Sequence, residues 1–296
     1  MVFIMDTNDN LMTVTRIYLG SPAEAAGAQV GDKVFKVDGE DVTAQDRTYI
    51  ANKIRGEEGT SVTVTMLRGE EIIELTMSRA IVTVNRVSVR MLEGGIGVIK
   101  VDEFEGDVVK GFKSALDTLK QEKATGLIID LRGNPGGSLT SVVEMCDMIL
   151  PKGVVVTVKD KAGVTKTYES DASMTSYPMA VIVNGHSASA SEIMAAAVQD
   201  FKVGEIVGEQ TFGKGIVQSY YIFKDDNASL SLTSAQYYTP SGRSIHGTGV
   251  TPDIEVELPQ NVQEDASVLT DENDTQLQAA IESVSRQVEQ KARVAS

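Results

Sequence analysis

MAVIVNGHSASASEIMAAAVQD, residues 179–200, joins a short apolar run to an alanine-rich helical pattern. The run MAVIV is continuously apolar, which is typical of a strand that is buried on both faces of a sheet. The residues Ser189, Ala190, Ser191 and Glu192 fit the capping box S-x-x-E, which predicts a helix N-cap at Ser189. The stretch therefore predicts a strand, a serine-rich turn and a helix, as in an α/β protein.

Among the serines of this stretch, Ser189 is the best candidate nucleophile. It would lie at a strand-to-helix turn, where many α/β enzymes present a nucleophile at the positive end of a helix dipole. The amide of Ala190 would then point towards an incoming carbonyl oxygen. The capping pattern by itself favours a simple cap, because helix caps are far commoner than nucleophiles.

The sequence gives little support for a histidine as the base that would activate this serine. The chain has two histidines. His186 is only three residues before Ser189, which is too close for its imidazole to align with the serine hydroxyl. His246 lies far downstream in GRSIHGTG, and no G-x-S-x-G motif surrounds the serine. The Ser-His-Asp constellation is therefore poorly supported, and both histidines are expected in loops.

Lys214 is the alternative base, in the segment GEQTFGKGIVQSYY at the start of a predicted strand. Gln218 follows four residues later, and an even offset along a strand would place both side chains on one face. A lysine accepts a proton only when it is neutral, a state that burial away from carboxylates favours. Without other evidence, Lys214 would be interpreted as an exposed lysine in a loop. The same segment resembles a phosphate loop, but Gly215 stands where the magnesium-binding hydroxyl belongs.

A third segment, DLRGNPGG at residues 130–137, ends the apolar run GLIIDL. A glycine- and proline-rich turn leaves backbone amides free and lets a substrate approach closely. A tight connection between a strand and a helix explains these residues equally well.

Hydrophobic patterning divides the chain into three regions. Residues 1–80 alternate short β-like runs with two helical pieces, which predicts a small β-rich module. Residues 81–258 alternate strands and helices, which predicts an α/β core that ends in β-rich segments. Residues 259–296 are polar and then weakly helical, with a narrow apolar stripe that we expect to dock on this chain or on a partner. The stripe consists of Leu277, Ile281, Val284 and Val288.

Composition limits the classes of function. The formal net charge is −15, which disfavours binding to a phosphate backbone, so we expect no nucleic acid partner. Cys146 is the only cysteine, which excludes an intrachain disulfide, and its apolar helical context predicts a core residue. No apolar run is long enough to span a bilayer.

The motifs together resemble the C-terminal processing peptidases, also called tail-specific proteases, over roughly residues 10–258. SASASEI, TFGKGIVQ and DLRGNPGG stand here as in that family, and Ser189 and Lys214 have its 25-residue separation. The resemblance implies Ser189 as nucleophile, Lys214 as general base and Gln218 as the residue that orients the base. It implies an oxyanion hole formed by the amides of Gly137 and Ala190, and neither a metal nor a cofactor.

SPAEAAGAQVGDKVFKVDGEDV resembles the core of a PDZ domain, which the family uses to capture substrate C-termini. The implied fold is a crotonase/Clp-protease-like α/β core at residues 81–258, with an α+β PDZ domain at residues 1–80 and a linker and helix at residues 259–296. The family's carboxylate-binding loop would lie at or before Met1, so we expect the PDZ domain to be partly truncated.

The resemblance implies a serine endopeptidase that acts on proteins or peptides with exposed C-termini. It also implies an extracytoplasmic setting, with a membrane anchor upstream, and relatives can dimerise through terminal helices. Two alternatives are a catalytically silent PDZ adaptor that binds peptides and a small-ligand protein on a crotonase-like core. The joint presence of Ser189, Lys214 and Gln218 argues against both, since a binding protein does not need them.

Overall fold

The computed structural model describes residues 1–6, 9, 11–18, 20–82, 85–171, 174–222, 229–264 and 268–295. The chain divides into two compact units, Met1–Val84 and Asn85–Ser296.

The N-terminal unit is an antiparallel sheet with two short helices, within the part of the chain that the structure describes. Its elements are β1 (Val2–Met5), β2 (Met12–Arg16), α1 (Pro22–Ala25), β3 (Lys33–Val37), β4 (Glu40–Asp41), α2 (Arg47–Ile54), β5 (Ser61–Arg68) and β6 (Glu71–Ser78). The sheet order is β1-β2-β3-β5-β6, with β4 beside β3. The unit has a separate apolar core that includes Val37, Ile50 and Val64. The predicted β-rich module is confirmed.

The C-terminal unit contains the α/β core. Its elements are β7 (Val87–Met91), β8 (Ile96–Val101), α3 (Val108–Gln121), β9 (Gly126–Asp130), α4 (Leu139–Asp147), β10 (Gly153–Asp160), β11 (Thr165–Ser170), β12 (Met179–Val183), α5 (Ala190–Phe201), β13 (Gly204–Gly208), β14 (Ile216–Ile222), β15 (Ser229–Tyr238), β16 (Ile254–Glu255), α6 (Gln260–Glu264) and α7 (Thr275–Ala295).

The central sheet of this unit has the order β16-β13-β12-β9-β8-β7. Its strands pair in parallel from β16 to β8, and β7 pairs with β8 in the antiparallel sense. Every residue of β9 and β12 is buried, as the nearly continuous apolar run of β9 and the continuous one of β12 predict. Because parallel strands end at the same edge, the turns after β9 and β12 lie side by side.

Helices cover both faces of the central sheet. Alternate residues of a strand therefore pack into the two cores on its opposite faces. On β9, Leu127 and Ile129 join the core formed with α3, α4 and α5, whereas Ile128 faces the core formed with α7. Cys146 on α4 is fully buried in the first core, which confirms the predicted core role, and burial raises the pKa of its thiol.

The apolar stripe of α7 docks on this chain. Leu277, Ile281, Val284 and Val288 pack on the central sheet. Beside them, the Arg132 guanidinium binds Asp130 at the end of β9 with two hydrogen bonds, at 3.0 and 2.7 Å. It also donates to Asp274, whose carboxylate accepts from the Leu277 amide in the first turn of α7. This ionic cluster fixes the start of α7 against the end of β9.

A second sheet has the order β11-β10-β15-β14, with every pairing antiparallel. Its strand β10 contains the run VVVTV, which the sequence places between two elements of the α/β core. The strand has a mixed burial pattern, unlike the fully buried β9 and β12, and its partners on β15 lie 75 to 81 positions later in the sequence. Within the described residues, no helix combines the length and the apolar character needed to cross a membrane.

Candidate active site

Ser189 is the N-cap residue of α5, at the turn that follows β12. Its backbone has a φ of 56° and a ψ of −111°. A residue with a side chain rarely adopts this conformation, which costs of order 1–3 kcal/mol and concentrates at functional sites. The side chain is largely buried, with 9% of the residue exposed. The serine lies at the positive end of a helix, as the sequence predicted, and its strained backbone is a finding of the structure.

The neighbouring serines are committed to structural hydrogen bonds. The Ser187 hydroxyl donates to the Leu131 carbonyl oxygen at 2.8 Å, and the Ser191 hydroxyl donates to the Asn134 carbonyl oxygen at 2.9 Å. Both residues are fully buried. Ser187 precedes the helix and Ser191 lies in its first turn. Their hydroxyl groups hold the turn after β9 against the start of α5.

Glu192 connects the backbone of Ser189 to the backbone of Lys214. Its side chain is fully buried, and each carboxylate oxygen accepts two hydrogen bonds. Oε2 accepts from the Ser189 and Lys214 amides, both at 2.8 Å. Oε1 accepts from the Gly213 amide at 2.7 Å and from the Thr211 hydroxyl at 2.6 Å. All four partners are donors, so both oxygens of this buried side chain act as acceptors.

Lys214 lies in the loop before β14, and its residue is half-buried. Gln218 lies within β14 and is exposed. The alternation argument for these two residues does not apply, because Lys214 precedes the strand and the register of β14 shifts between Val217 and Gln218. Over the described residues, no hydrogen bond joins the side chains of Ser189, Lys214 and Gln218. Catalytic hydrogen bonds are often loose before substrate binds.

The turn DLRGNPGG packs directly against the start of α5. The buried Asn134 accepts from the Gly136 amide and donates to the Val101 carbonyl oxygen, both at 2.9 Å. Its own carbonyl oxygen accepts from the Ala188 amide at 3.0 Å. A Cβ added to Gly136 would lie only 2.8 Å from the Cβ of Ser189. The close approach of the turn to the serine therefore requires glycine at this position.

Gly137 and Ala190, the two expected oxyanion-hole residues, lie on the two segments that meet here. Gly137 has a φ of 141°, and an added Cβ would lie 2.7 Å from the Phe104 carbonyl oxygen. Ala190 is the first residue of α5, so its amide has no partner within the helix. Among the described residues, neither amide donates to a protein acceptor.

The two histidines lie in loops, as predicted, and both are exposed. The His186 amide donates to the Asn184 side chain in the turn before α5. The backbone of His246 contacts Gly215, where an added Cβ would lie 2.5 Å from the His246 nitrogen. This contact supports the loop that carries Lys214, and it involves the histidine backbone.

Comparison with known sequences identifies both units. Residues 95–256 match the sequence profile of peptidase family S41, which is more than half of the chain. The chain belongs to peptidase family S41. Residues 13–68 match the profile of the PDZ domain. The S41 match confirms the resemblance drawn from the motifs. Together with the PDZ match, it confirms the predicted α/β core with an N-terminal PDZ domain.

Individual S41 relatives agree with this assignment. The chain is 37% identical over 261 residues to the carboxy-terminal-processing protease of Bartonella bacilliformis, covering 85% of this chain and 59% of that protein. It is 33% identical over 280 residues to the carboxyl-terminal-processing protease of Synechocystis sp., covering 92% and 65%. The chain therefore spans roughly 60% of the length of these relatives.

Among solved structures, the photosystem II D1 C-terminal processing protease is similar in fold. It has a TM-score of 0.58 and 29% sequence identity, and the alignment covers 90% of this chain and 75% of that chain.

The sequence did not predict that Glu192 connects the backbone of Ser189 to that of Lys214. The capping box identified its contact with Ser189 three residues away, and that contact is present. Its bonds to Thr211, Gly213 and Lys214 depend on a loop about twenty residues downstream. No local pattern in the sequence reports such a contact.

We expect Glu192→Gln to lower kcat/KM by roughly 10- to 1,000-fold, because the amide nitrogen cannot accept the two hydrogen bonds that one carboxylate oxygen accepts. Two buried donors lose their acceptor, so the midpoint of thermal unfolding should also fall. Activity assays and calorimetry measure the two effects. Glu144→Gln, the same change at an exposed position, is the control and should behave as wild type. Full activity of Glu192→Gln would show that the bridge does not position the site.

Proposed function

We propose that this chain is a serine endopeptidase that cleaves proteins or peptides near their C-termini through a Ser189 acyl-enzyme. The observation that carries the proposal is the Glu192 carboxylate, which binds the backbone amides of Ser189 and Lys214 through one oxygen. This shared acceptor supports the proposal because it holds the backbones of the predicted nucleophile and the predicted base close together.

In the proposed mechanism, Ser189 Oγ attacks the carbonyl carbon of the scissile peptide bond while Lys214 Nζ takes the hydroxyl proton. The tetrahedral intermediate then collapses, the C–N bond breaks, and Lys214 gives the proton to the leaving amine. Water hydrolyses the resulting ester, with Lys214 again as the base. Gln218 is the residue that would orient the lysine amine once substrate is bound.

Gly137 and Ala190 are the proposed oxyanion hole. Their amides have no protein acceptor among the described residues, and their segments meet where Gly136 contacts Ser189. Two preorganised amide donors can stabilise the developing oxyanion, and the loss of one such donor typically costs about 10²–10³-fold in rate.

We propose that the PDZ domain captures the substrate C-terminus as an added strand. Within the described residues, β1 lies at the edge of its sheet, where its backbone can pair with an extended peptide. A groove of about 250 Å³ in the same unit has an apolar lining that suits the side chains of such a peptide. The lining includes Phe3, Ala51, Ile54, Val62 and Met77.

Ile54→Asp should raise KM for polypeptide substrates roughly tenfold, because a carboxylate in the apolar groove would cost about 1.4 kcal/mol of binding. The kcat value and the rate of Ser189 labelling by a small phosphonate should not change, since neither depends on the groove. Ile72→Asp is the matched control, because Ile72 is 64% exposed and does not line the groove. An unchanged KM would argue against capture at this groove.

One experiment tests the proposed function against the adaptor and small-ligand alternatives. The protein is incubated with unstructured polypeptides at neutral to mildly alkaline pH, with and without a serine-reactive fluorophosphonate. We expect cleavage near the polypeptide C-termini, and a phosphonate adduct on Ser189 that abolishes this cleavage. Peptide binding without cleavage or adduct would support the adaptor, and an adduct on another serine would overturn the mechanism.

The extracytoplasmic setting, the upstream membrane anchor and the homodimer through terminal helices stay predictions. The acidic charge of the chain and its single cysteine are compatible with such a setting. In this structure, α7 packs its apolar stripe on the sheet of its own chain, so a dimer would have to use the other surface of that helix.

A further inference from the structure

Phe212 is an exposed aromatic residue in the loop of the proposed base, two residues before Lys214. Its exposed fraction is 66%, and it is the one exposed phenylalanine among the described residues. It belongs to none of the apolar cores that these residues form. The fold therefore gains little from the apolar surface of this ring, which stays open to a ligand.

The backbone that carries this ring is held in place by hydrogen bonds to three other segments. The amide of Phe212 donates to the Ser187 carbonyl oxygen at 3.1 Å. The amide before it, of Thr211, donates to the Val250 carbonyl oxygen at 3.2 Å. The two amides after it donate to the Glu192 side chain. Because the backbone is already ordered, a ligand that contacts the ring has only the side-chain rotamers left to restrict.

The same hydrogen bonds place Phe212 beside the proposed nucleophile and base. Ser187, which accepts from the Phe212 amide, precedes Ser189 by two residues, and Lys214 follows Phe212 by two. Two residues of chain span at most about 7 Å. In a substrate whose scissile carbonyl reaches Ser189, the next residue is about 3.8 Å further along the chain. The side chains that flank the scissile bond are therefore within reach of the Phe212 ring.

We propose that Phe212 is a specificity-determining residue whose ring contacts an apolar side chain of the substrate next to the scissile bond. The inference rests on the proposed function and narrows its substrates to polypeptides with an apolar residue at that position. An apolar side chain that packs on the ring removes apolar surface of both groups from water, whereas a small polar side chain removes less. Burial of about 55 Å² of additional apolar surface corresponds to about a tenfold preference.

Phe212→Ala tests the proposal, because alanine keeps the backbone amide and removes the ring. The substrates are unstructured peptides with leucine or serine at each of the two residues that flank the scissile bond. At one of these positions, wild-type kcat/KM should be higher with leucine, and Phe212→Ala should lower that value about tenfold while the serine peptide changes little. Phe212→Leu should keep most of the preference. The rate at which a small fluorophosphonate labels Ser189 should stay at the wild-type value, because the reagent has no peptide side chain.

Val164→Ala is the matched control, since Val164 is 65% exposed and lies in the loop between β10 and β11. It should label and cleave as wild type, and both alanine variants should fold, because each removes an exposed side chain. An unchanged preference in Phe212→Ala, an equal loss in Val164→Ala, or slower labelling with the preference intact would each overturn the contact with substrate and leave the proposed function intact. Failure of the wild-type protein to cleave any peptide or to label at Ser189 would overturn both.

Discussion

Ser189→Ala should abolish cleavage, with a loss of at least about 10⁴-fold in kcat, as expected for removal of the nucleophile of a serine protease. Folding should be preserved. The contact that secures the start of α5 is between the Ser189 backbone amide and Glu192, and alanine keeps that amide. Peptide release from an unstructured polypeptide measures the loss, and circular dichroism checks the fold.

The neighbouring serines provide the controls for this experiment. Ser187→Ala and Ser191→Ala each remove a buried hydroxyl that donates to a carbonyl oxygen, so each should cost about 1–3 kcal/mol of stability. Much of the activity should remain at a temperature where both variants are folded. An equal loss of activity in all three variants would mean that the three serines only stabilise the turn, and that the nucleophile lies elsewhere.

The sequence predicted the central elements of the fold because their patterns are local. GLIIDL is nearly continuously apolar and MAVIV is entirely so, and the structure covers both faces of these strands with helices. The capping box placed the start of α5 correctly at Ser189. The apolar stripe of the C-terminal region predicted a docked helix, and the structure identifies its partner as the central sheet.

Contacts between distant segments could not be predicted in the same way. The run VVVTV suits either sheet, and only its pairing with β15 places it in the second one. The even spacing of Lys214 and Gln218 assumed a regular strand, but the strand begins at Ile216 and its register shifts before Gln218. Glu192 has a recognisable capping position, whereas its acceptor role for the loop of Lys214 depends on tertiary structure.

Motif resemblance identified the catalytic candidates where physical pattern alone did not. A serine at a helix N-cap and a lysine between glycines are both common structural features. Their joint occurrence with DLRGNPGG is what indicated a protease, and the structure brings the three segments together through Asn134 and Glu192. The assignment of roles to Ser189, Lys214, Gln218, Gly137 and Ala190 stays a prediction that the variants test.

Lys214→Ala should be as damaging as Ser189→Ala, because without the amine nothing accepts the proton of the attacking hydroxyl. Lys214→Arg should also be inactive, since a guanidinium cannot give up its proton near neutral pH. Neither change removes the backbone amide that donates to Glu192, so the loop should keep its position. The measurements are kcat with a polypeptide substrate and a thermal unfolding curve for each variant.

The pH dependence follows from the state in which the lysine can act. Only a neutral amine accepts a proton, so an amine base predicts that the activity of the wild-type protein is low in acid and higher at alkaline pH. Activity driven by a histidine would instead rise near pH 6.5 and disappear when that histidine is replaced. His186→Ala and His246→Ala should both remain active, because both side chains are exposed and the described hydrogen bonds join neither of them to Ser189. A folded but inactive His186→Ala protein would contradict the Ser-Lys mechanism, and an active Lys214→Arg protein would contradict it equally.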